Sequence, residues 1–541
     1  MTLHGLRAPL PDDTVVHRVF EAHAHRNPLG TALTCGDEQI SYAELNTRAN
    51  RFAHHLLSLD IGRGSVVGVC LDRTPELMVA ILGVLKSGAA YAPLDPTYPQ
   101  ERLDLMLSNL DQLEYTVVAP ATESLIGHAH TKVLDIEALA PRLALLPAVD
   151  PQTDTTGDDL CYAVFTSGST GTPKAVAVRH EGWYNLLNWL ALEYGLDERS
   201  SSLSVSSFGF DISQRGLMAP LFTGAPLHLL PSRSFDVNMA YRVIAERGVA
   251  TLHCAPSTLY LLIERDMAQA ARAAKAAGTE GGPRCAALAG VDYVFIGGEP
   301  LSTPRVEEWA TQEGNACTLL HQYGVAECTD VASSYPLHDY PRYRAGATPV
   351  GRPVYNTAIR LMEERDGVLT EVPDGETGEI CISGTSVGAG YLGASPADME
   401  RFMTADTGGE RVRLYRTGDR GHATASGDLV VVGRVDAQVK IRGMRIDLGD
   451  VEHGVRANPR VEDVVVLAPP DGAGEARLVA FVIPAAAPLD PRALRAELLG
   501  SLPRNMVPQE VVELTAFPLN PNGKVDRKAL AASVDHPATS Q

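Results

Sequence analysis

The sequence predicts an α/β protein: a large amino-terminal domain of parallel-sheet αβα subdomains with a small β-rich subdomain, followed by a small α+β carboxyl-terminal domain. Three observations carry that prediction. Helix-period and strand-like segments alternate through the first 150 residues and again through the middle, as parallel sheets covered on both faces require. From about Ala345 the strands shorten and are divided by Gly, Asp and Pro. After VVGRVDAQVKIRG the character changes again, which sets a boundary near Asp436 and divides the chain into 1–435 and 436–541. A length of 541 residues exceeds what one core usually supports.

The elements follow in order. SYAELNTRANRFAHHLLSL places Leu45, Ala49, Phe52, Ala53, Leu56 and Leu57 on one helical face, and Ser65 to Asp72 follows as an apolar strand. PELMVAILGVLKSG reads as a buried helix ending at Gly88, and the prolines of AYAPLDPTYP forbid more helix. Tyr162 to Phe165 and Ala175 to Val178 read as strands around a polar loop. SSLSVSSFGFDIS, APLHLLP, ATLHCAP and VDYVFIGGEPLS repeat the strand theme, and Ala268 to Arg284 reads as a helix tail running into a surface loop. TAIRLM, GEICISG and DLVVVG form the β-rich part. The carboxyl-terminal part offers VEDVVVLAPP, ARLVAFVIP, the helix DPRALRAELLGSLP and a strand at QEVVEL.

Composition narrows the partners. The net charge of −20 argues against a nucleic-acid backbone or an anionic membrane, so any phosphate must be held by a local site. The first residues, MTLHGLRAPLPDD, lack a signal-peptide core, and the apolar run Leu77 to Leu85 is too short to span a membrane. A cytoplasmic location is the expectation. Eight scattered cysteines without a CxxC pair or Cys/His cluster read as reduced core thiols rather than zinc ligands.

The loop TSGSTGTPK has the chemistry of a polyphosphate cradle. Gly168 and Gly171 let backbone N–H groups approach, Thr166, Ser167, Ser169 and Thr170 supply hydroxyls, and Lys174 supplies charge. It is not a P-loop, because Lys174 follows Pro173 and precedes a strand instead of Ser or Thr and a helix. A solvated polar hairpin is the competing reading of this stretch alone.

Ten segments decide the matter: SYAELN, LKSGAAYAPLDPTYPQER, FTSGSTGTPKAVAV, FGFDIS, HQYGVAE, GEICISGTSVGAGYL, YRTGDR, GRVDAQVKIRGMRIDLGDVE, LPRNMVP and NPNGKVDR. In that order, over nearly the whole length, the chain resembles the adenylation domains of nonribosomal peptide synthetases, within the adenylate-forming superfamily that includes acyl-CoA synthetases and luciferase. The resemblance implies attack of a substrate carboxylate on the α-phosphorus of ATP, with pyrophosphate leaving. Negative charge crowds that transition state, so cations and donors must be in place beforehand.

By the same resemblance, Lys524 is the catalytic residue, bridging the substrate carboxylate and the α-phosphate, and Glu327 holds Mg²⁺. The cradle from Thr166 through Ser167, Gly168, Ser169 and Thr170 to Lys174 serves the β- and γ-phosphates. Within HQYG, His321, Gln322, Tyr323 and Gly324 form the nucleotide site with Tyr323 stacked on adenine, beside a wall of Gly297, Gly298 and Glu299. Asp419 accepts from the ribose hydroxyls, and Arg434 assists at the ribose or phosphates. Asp436 is the hinge about which the small, mobile domain rotates; one orientation brings Lys524 to the adenylate, the other presents the face near Gly443 to an incoming thiol.

The sequence departs from the family in three places: Val325-Ala326 replaces the usual Pro-Thr, His321 the usual Asn, and Ala175 the usual Gly. Losing the Thr hydroxyl should weaken the nucleotide site by about 0.5–1.5 kcal/mol, leaving an active enzyme.

Asp211 matches the aspartate that pairs with the ammonium of amino-acid substrates, which aryl- and fatty-acid relatives lack. The resemblance lines the side-chain pocket with Ile212, Arg215, His253, Phe295, Gly297, Gln322, Asp330 and Val331. A buried guanidinium suits a substrate carboxylate, so an acidic side chain is expected. The alternative is that Asp330 pairs internally with Arg215, leaving Gln322 and His253 to select a neutral polar or basic side chain. Only 17 residues follow Lys524, so the expectation is a stand-alone enzyme loading a separate carrier protein through its phosphopantetheine thiol in natural-product biosynthesis, with an MbtH-like helper protein left open. The competing readings are an acyl- or aryl-CoA ligase, a D-alanine-activating enzyme, and a non-catalytic nucleotide-binding scaffold.

Overall fold

The computed structural model describes residues 1–110, 112–126, 131–166, 173–278, 286–343, 347–365, 368–393, 395–407, 410–434, 438–441, 444–471, 475–485, 488–518 and 525–535. Two large sheets with parallel cores organise the amino-terminal part. In the first, the strand Val66–Cys70 pairs in parallel with Ala90–Pro93 and Tyr115–Val118, and Leu160–Thr166 extends it. The strand Lys174–Arg179 then turns back antiparallel along Leu160–Thr166, so the expected strand-loop-strand hairpin is present. In the second, Thr31–Cys35, Leu227–Leu229, Ser202–Ser204, Thr251–Cys254, Tyr293–Ile296 and Thr318–Tyr323 lie parallel in that spatial order.

One continuous core cluster draws Val67, Val69 and Val164 from the first sheet and Leu33, Leu227 and Phe295 from the second, with helices between them. The helix Tyr42–Leu57 carries Leu45, Ala49, Phe52 and Leu56 at 0 % exposure, which is the predicted face, and Ser41 caps it by accepting from the Glu44 N–H. The helix Pro75–Lys86 is buried along its length except at Glu76, as its apolar run from Leu77 to Leu85 requires. Lys86, the cation that follows the apolar run Leu77 to Leu85, is itself fully buried. It pairs with Glu21 and, at 3.0 Å, with Asp150, whose carboxylate also accepts from Asn46 and Asn50 at 2.9 Å. A buried ammonium is tolerated only when compensated in this way.

A largely antiparallel sheet built on Thr357–Arg365, Gly378–Gly384, Glu410–Ala423 and Leu429–Arg434 is the expected β-rich part. Its edge holds a surprise: Thr2–His4 pairs antiparallel with the strand Thr357–Arg365. Three residues of strand carry no periodicity to read, so a partner about 350 positions away is invisible in sequence.

The carboxyl-terminal part joins Val461–Leu467, Val479–Pro484 and Glu510–Glu513 in one sheet, with the helix Pro491–Ser501 packed near it. It also contains a hairpin, Gln438–Ile441 with Met444–Asp447, and helices Leu448–Arg456 and Arg527–Asp535 that the sequence reading does not assign. The boundary residue Asp436 lies outside the described residues. Among the described residues no helix is long and apolar enough to cross a membrane, and no cluster of three or more His, Cys, Asp and Glu side chains is placed to surround a metal ion. The described cysteines are free thiols, all buried except the half-buried Cys35.

The core has a pH signature. Burial lowers the His180 imidazole from its usual 6.5 to about 3 and His228 to about 4. Both stay neutral in the fold and take up a proton on unfolding, so stability is complete above pH 6.5 and falls as the pH drops below it. Each histidine contributes a slope of about 1.4 kcal/mol per pH unit between 6.5 and its folded value. Urea midpoints should therefore fall steadily from pH 7 to pH 4.5, and the slope should shrink in His228→Gln.

Candidate active site

A cavity of about 710 Å³ opens where the two sheets and the carboxyl-terminal part meet. Thr166 enters from the end of the strand Leu160–Thr166, and Asp211 from the first turn of the helix Asp211–Thr223. Gly297 and Gly298 follow the strand Tyr293–Ile296; Gln322 and Tyr323 end the strand Thr318–Tyr323, with Gly324 through Glu327 just beyond. Ligands of parallel sheets characteristically sit at the carboxyl ends of the strands, and these residues all do.

Asp211 occupies a favourable place for a carboxylate, at a helix amino terminus, where one of its oxygens accepts the Ile212 N–H at 2.8 Å. The sequence reading treats FGFDIS as part of a strand run; the strand Ser202–Ser204 ends earlier, and the helix starts at Asp211 itself. Arg215 lies one helical turn further along.

Arg215 is 1 % exposed and is not left waiting for a partner: its Nε lies 2.7 Å from Asp330 Oδ2, and its Nη1 donates to Gln322 Oε1. The Gln322 amide N–H donates in turn to Ser334 Oγ at 3.4 Å, which also accepts from the Tyr194 hydroxyl at 3.0 Å. Burial raises the Asp330 carboxyl above its usual range, and the adjacent guanidinium opposes that rise and favours the ionised form. The expected acidic substrate rests on an unpartnered Arg215, and the structure supplies the partner from within the chain. This is the alternative that the sequence leaves open.

Asp330 reaches Arg215 because the chain reverses tightly after Gly324. Thr329 and Asp330 adopt φ of +56° and +69°, a left-handed conformation that residues with side chains seldom take, and Gly324 passes directly under the Asp330 carbonyl. Ile212, Gly297 and Val331 also line the cavity as expected. His253 and Phe295 do not: their rings stack on each other 4.7 Å apart at 11°, beyond the wall. Burial, and then Arg215, push His253 well below its usual 6.5, so it is neutral there.

The nucleotide residues divide likewise. Tyr323 lines the cavity, and its hydroxyl donates to Asp419 Oδ2 at 2.7 Å. Asp419 and Arg434 are direct cross-strand neighbours and form an ion pair. Asp419 is 2 % exposed and, like Arg434, stands behind Tyr323 rather than on the cavity wall. His321 is not among the cavity-lining residues, and its Nδ1 lies 2.9 Å from the Pro349 carbonyl. Glu299 likewise leaves the wall and accepts the Ser257 N–H at 3.1 Å. Ser167, Gly168, Ser169, Thr170, Asp436 and Lys524 lie outside the described residues.

Two contacts escape the sequence reading. The Tyr391 hydroxyl donates to Glu327 Oε1 at 2.6 Å and lies 3.0 Å from the Tyr415 hydroxyl, fixing a carboxylate that is 2 % exposed at the cavity wall. Lys174 pairs with Asp398 at 2.6 Å and sits over the Tyr391 ring. The tyrosine belongs to GAGYL, whose pattern speaks of strand and says nothing of what the hydroxyl meets. A hard carboxylate oxygen at a phosphate-sized cavity fits Mg²⁺, and Glu327 is the residue that would hold it. Arg73, Arg102 and Arg233 add positive charge to the lining, while Met444 and the stretch from Pro503 to Met506 bring the carboxyl-terminal part against the cavity. Arg305, its guanidinium 3.8 Å from the Tyr260 ring centre, pairs with Glu475 across the same junction.

Known proteins resemble the chain throughout. The model of the AMP-binding enzyme family matches residues 20–392, and that of the AMP-binding enzyme C-terminal domain matches residues 450–524. The dimodular nonribosomal peptide synthase of Bacillus subtilis is 34% identical over 526 residues, covering 95% of this chain and 21% of that protein. Tyrocidine synthase 2 of Brevibacillus parabrevis is 33% identical over 534 residues, covering 98% of this chain and 14% of its own length. The chain thus spans about a fifth or less of these relatives. Among solved structures, holo-PA1221, an NRPS protein containing adenylation and PCP domains, superposes with a TM-score of 0.79 at 25% identity, covering 96% of this chain and 84% of that one. An artificially fused adenylation-PCP di-domain from Klebsiella oxytoca superposes at 0.80 with 24% identity, covering 93% of this chain and 94% of that one, and shares the fold. With its fold, its matched segments and a cavity at the strand ends in agreement, the chain belongs to the AMP-binding enzymes, the ATP-dependent adenylate-forming ligases, as an adenylation domain of the nonribosomal peptide synthetase type.

Proposed function

We propose that the protein activates an α-amino acid with a polar side chain as its aminoacyl-AMP and passes the aminoacyl group to the phosphopantetheine thiol of a carrier protein. The observation that carries this reading is the Asp211 carboxylate, which faces the same cavity as Glu327 from the start of a helix. A carboxylate there pairs with an ammonium group and has nothing to offer an acid without one.

In the first step a substrate carboxylate oxygen attacks the α-phosphorus; the new P–O bond forms as the bond to pyrophosphate breaks. Bound Mg²⁺ would neutralise phosphate charge beside Glu327. Tyr323 offers a flat face for the base, and Arg73 and Arg102 add positive potential to the chamber. In the second step the carrier thiolate attacks the acyl carbon, and AMP leaves with the bonding electrons.

Pyrophosphate exchange into ATP, measured with amino acids and with matched acids lacking the α-amino group, tests the reading. Exchange confined to amino acids and lost in Asp211→Ala is expected; exchange sustained only by the des-amino acids would refute it. Loading of a holo carrier protein then checks the second step. Lys174→Ala should slow adenylate formation about tenfold or more through the leaving group, while loading from a preformed adenylate stays near the wild-type rate. An equal loss in both steps would contradict that division.

A further inference from the structure

The far end of the cavity has a definite chemical demand, and reading it rests on the proposal that an amino acid binds there. Arg215 and Asp330 both line the chamber. Arg215 Nε and Asp330 Oδ2 face each other as an ion pair at 2.7 Å without the alignment of a hydrogen bond, and Gln322 occupies one more guanidinium nitrogen. Nη2 of Arg215 and Oδ1 of Asp330 have no hydrogen-bond partner among the described residues. The surface therefore presents a donor and an acceptor side by side, with no net charge between them.

Each class of side chain meets this surface differently. An acidic group brings a negative charge to an arginine already neutralised by Asp330, and a desolvated carboxylate without its own counter-ion is disfavoured. A basic group places a second cation beside Arg215. An apolar group leaves a buried N–H and a carboxylate oxygen unpaired, and sites built on polar contacts reject such isosteres strongly. His253 does not alter the balance, because it is neutral and stands beyond the wall.

We propose that the amino acid activated here carries a neutral, planar amide-type side chain, a carboxamide or a urea, whose carbonyl accepts from Arg215 Nη2 and whose N–H donates to Asp330 Oδ1. Arg215 and Asp330 are then specificity-determining as a pair. Gln322 positions Arg215, and Ser334 holds the Gln322 amide with its oxygen toward the guanidinium.

Pyrophosphate exchange with asparagine, glutamine and citrulline, set against aspartate, glutamate, leucine and lysine, tests this on the wild-type protein. One of the amide or urea substrates should exceed its acidic and apolar counterparts by at least about a hundredfold. Asp330→Asn, which frees the guanidinium charge, should raise aspartate or glutamate relative to the amides. Should that variant fail to fold, the double replacement Arg215→Leu with Asp330→Leu removes both charges together and should favour leucine. Wild-type exchange strongest with an acidic, basic or apolar amino acid overturns the proposal while leaving amino-acid activation intact. Exchange only with des-amino acids, or with no acid at all, overturns the amino-acid reading and this proposal with it.

Discussion

Replacing Gly324 by alanine is expected to destroy the active cavity and to destabilise the protein by about 3 kcal/mol or more. A Cβ at that position would lie 1.7 Å from the Asp330 carbonyl oxygen, and the obstruction is backbone, which cannot swing aside like a side chain. Relief requires the turn after Gly324 to open, which would carry Asp330 off Arg215 and shift Glu327 at the cavity wall. Thermal unfolding should show a lower midpoint, and pyrophosphate exchange should fall below detection even where folded protein remains. An alanine variant with normal stability and exchange would show that the turn does not constrain the site.

Replacing Lys524 by alanine should slow adenylate formation by about a hundred- to a thousandfold, the usual cost of removing one well-placed transition-state donor. The proposed reaction brings a carboxylate against a triphosphate, and a cation between them relieves a repulsion that grows toward the transition state. Single-turnover formation of aminoacyl-AMP is the direct measure. Transfer from a preformed adenylate to a holo carrier should survive, since that step needs no bridge between carboxylate and phosphate. Loss of both steps together would assign Lys524 to folding or binding.

Much of the architecture can be read from periodicity. The helix Tyr42–Leu57 and the buried helix Pro75–Lys86 follow from their apolar spacing, and the strands flanking TSGSTGTPK follow from theirs. Asp211, Gln322 and Glu327 are legible because local motifs surround them, and the fold brings them to one cavity. What sequence cannot supply are partners chosen by tertiary geometry. Asp330 finds Arg215 only through two consecutive left-handed residues, and neither Thr nor Asp announces that conformation. Tyr391 meets Glu327 from 64 positions away, and Asp398 meets Lys174 from 224. That His253, His321 and Asp419 are not among the cavity-lining residues has the same origin: a motif fixes a residue's place in the chain but leaves open whether its side chain faces the cavity or the layer behind it.

The contact between Arg305 and Glu475 bears on timing. In the proposed cycle the small domain turns once to form the adenylate and once to unload it, so this ion pair breaks and re-forms with every turnover, while Arg305 stays stacked on Tyr260 within the large domain. Screening by salt weakens an ion pair at such half-exposed positions more than it weakens the cation over an aromatic ring. The junction thus acts as a detent whose stiffness is set by ionic strength, and the protein's working rate is tied to the solution it works in as well as to the chemistry within its cavity.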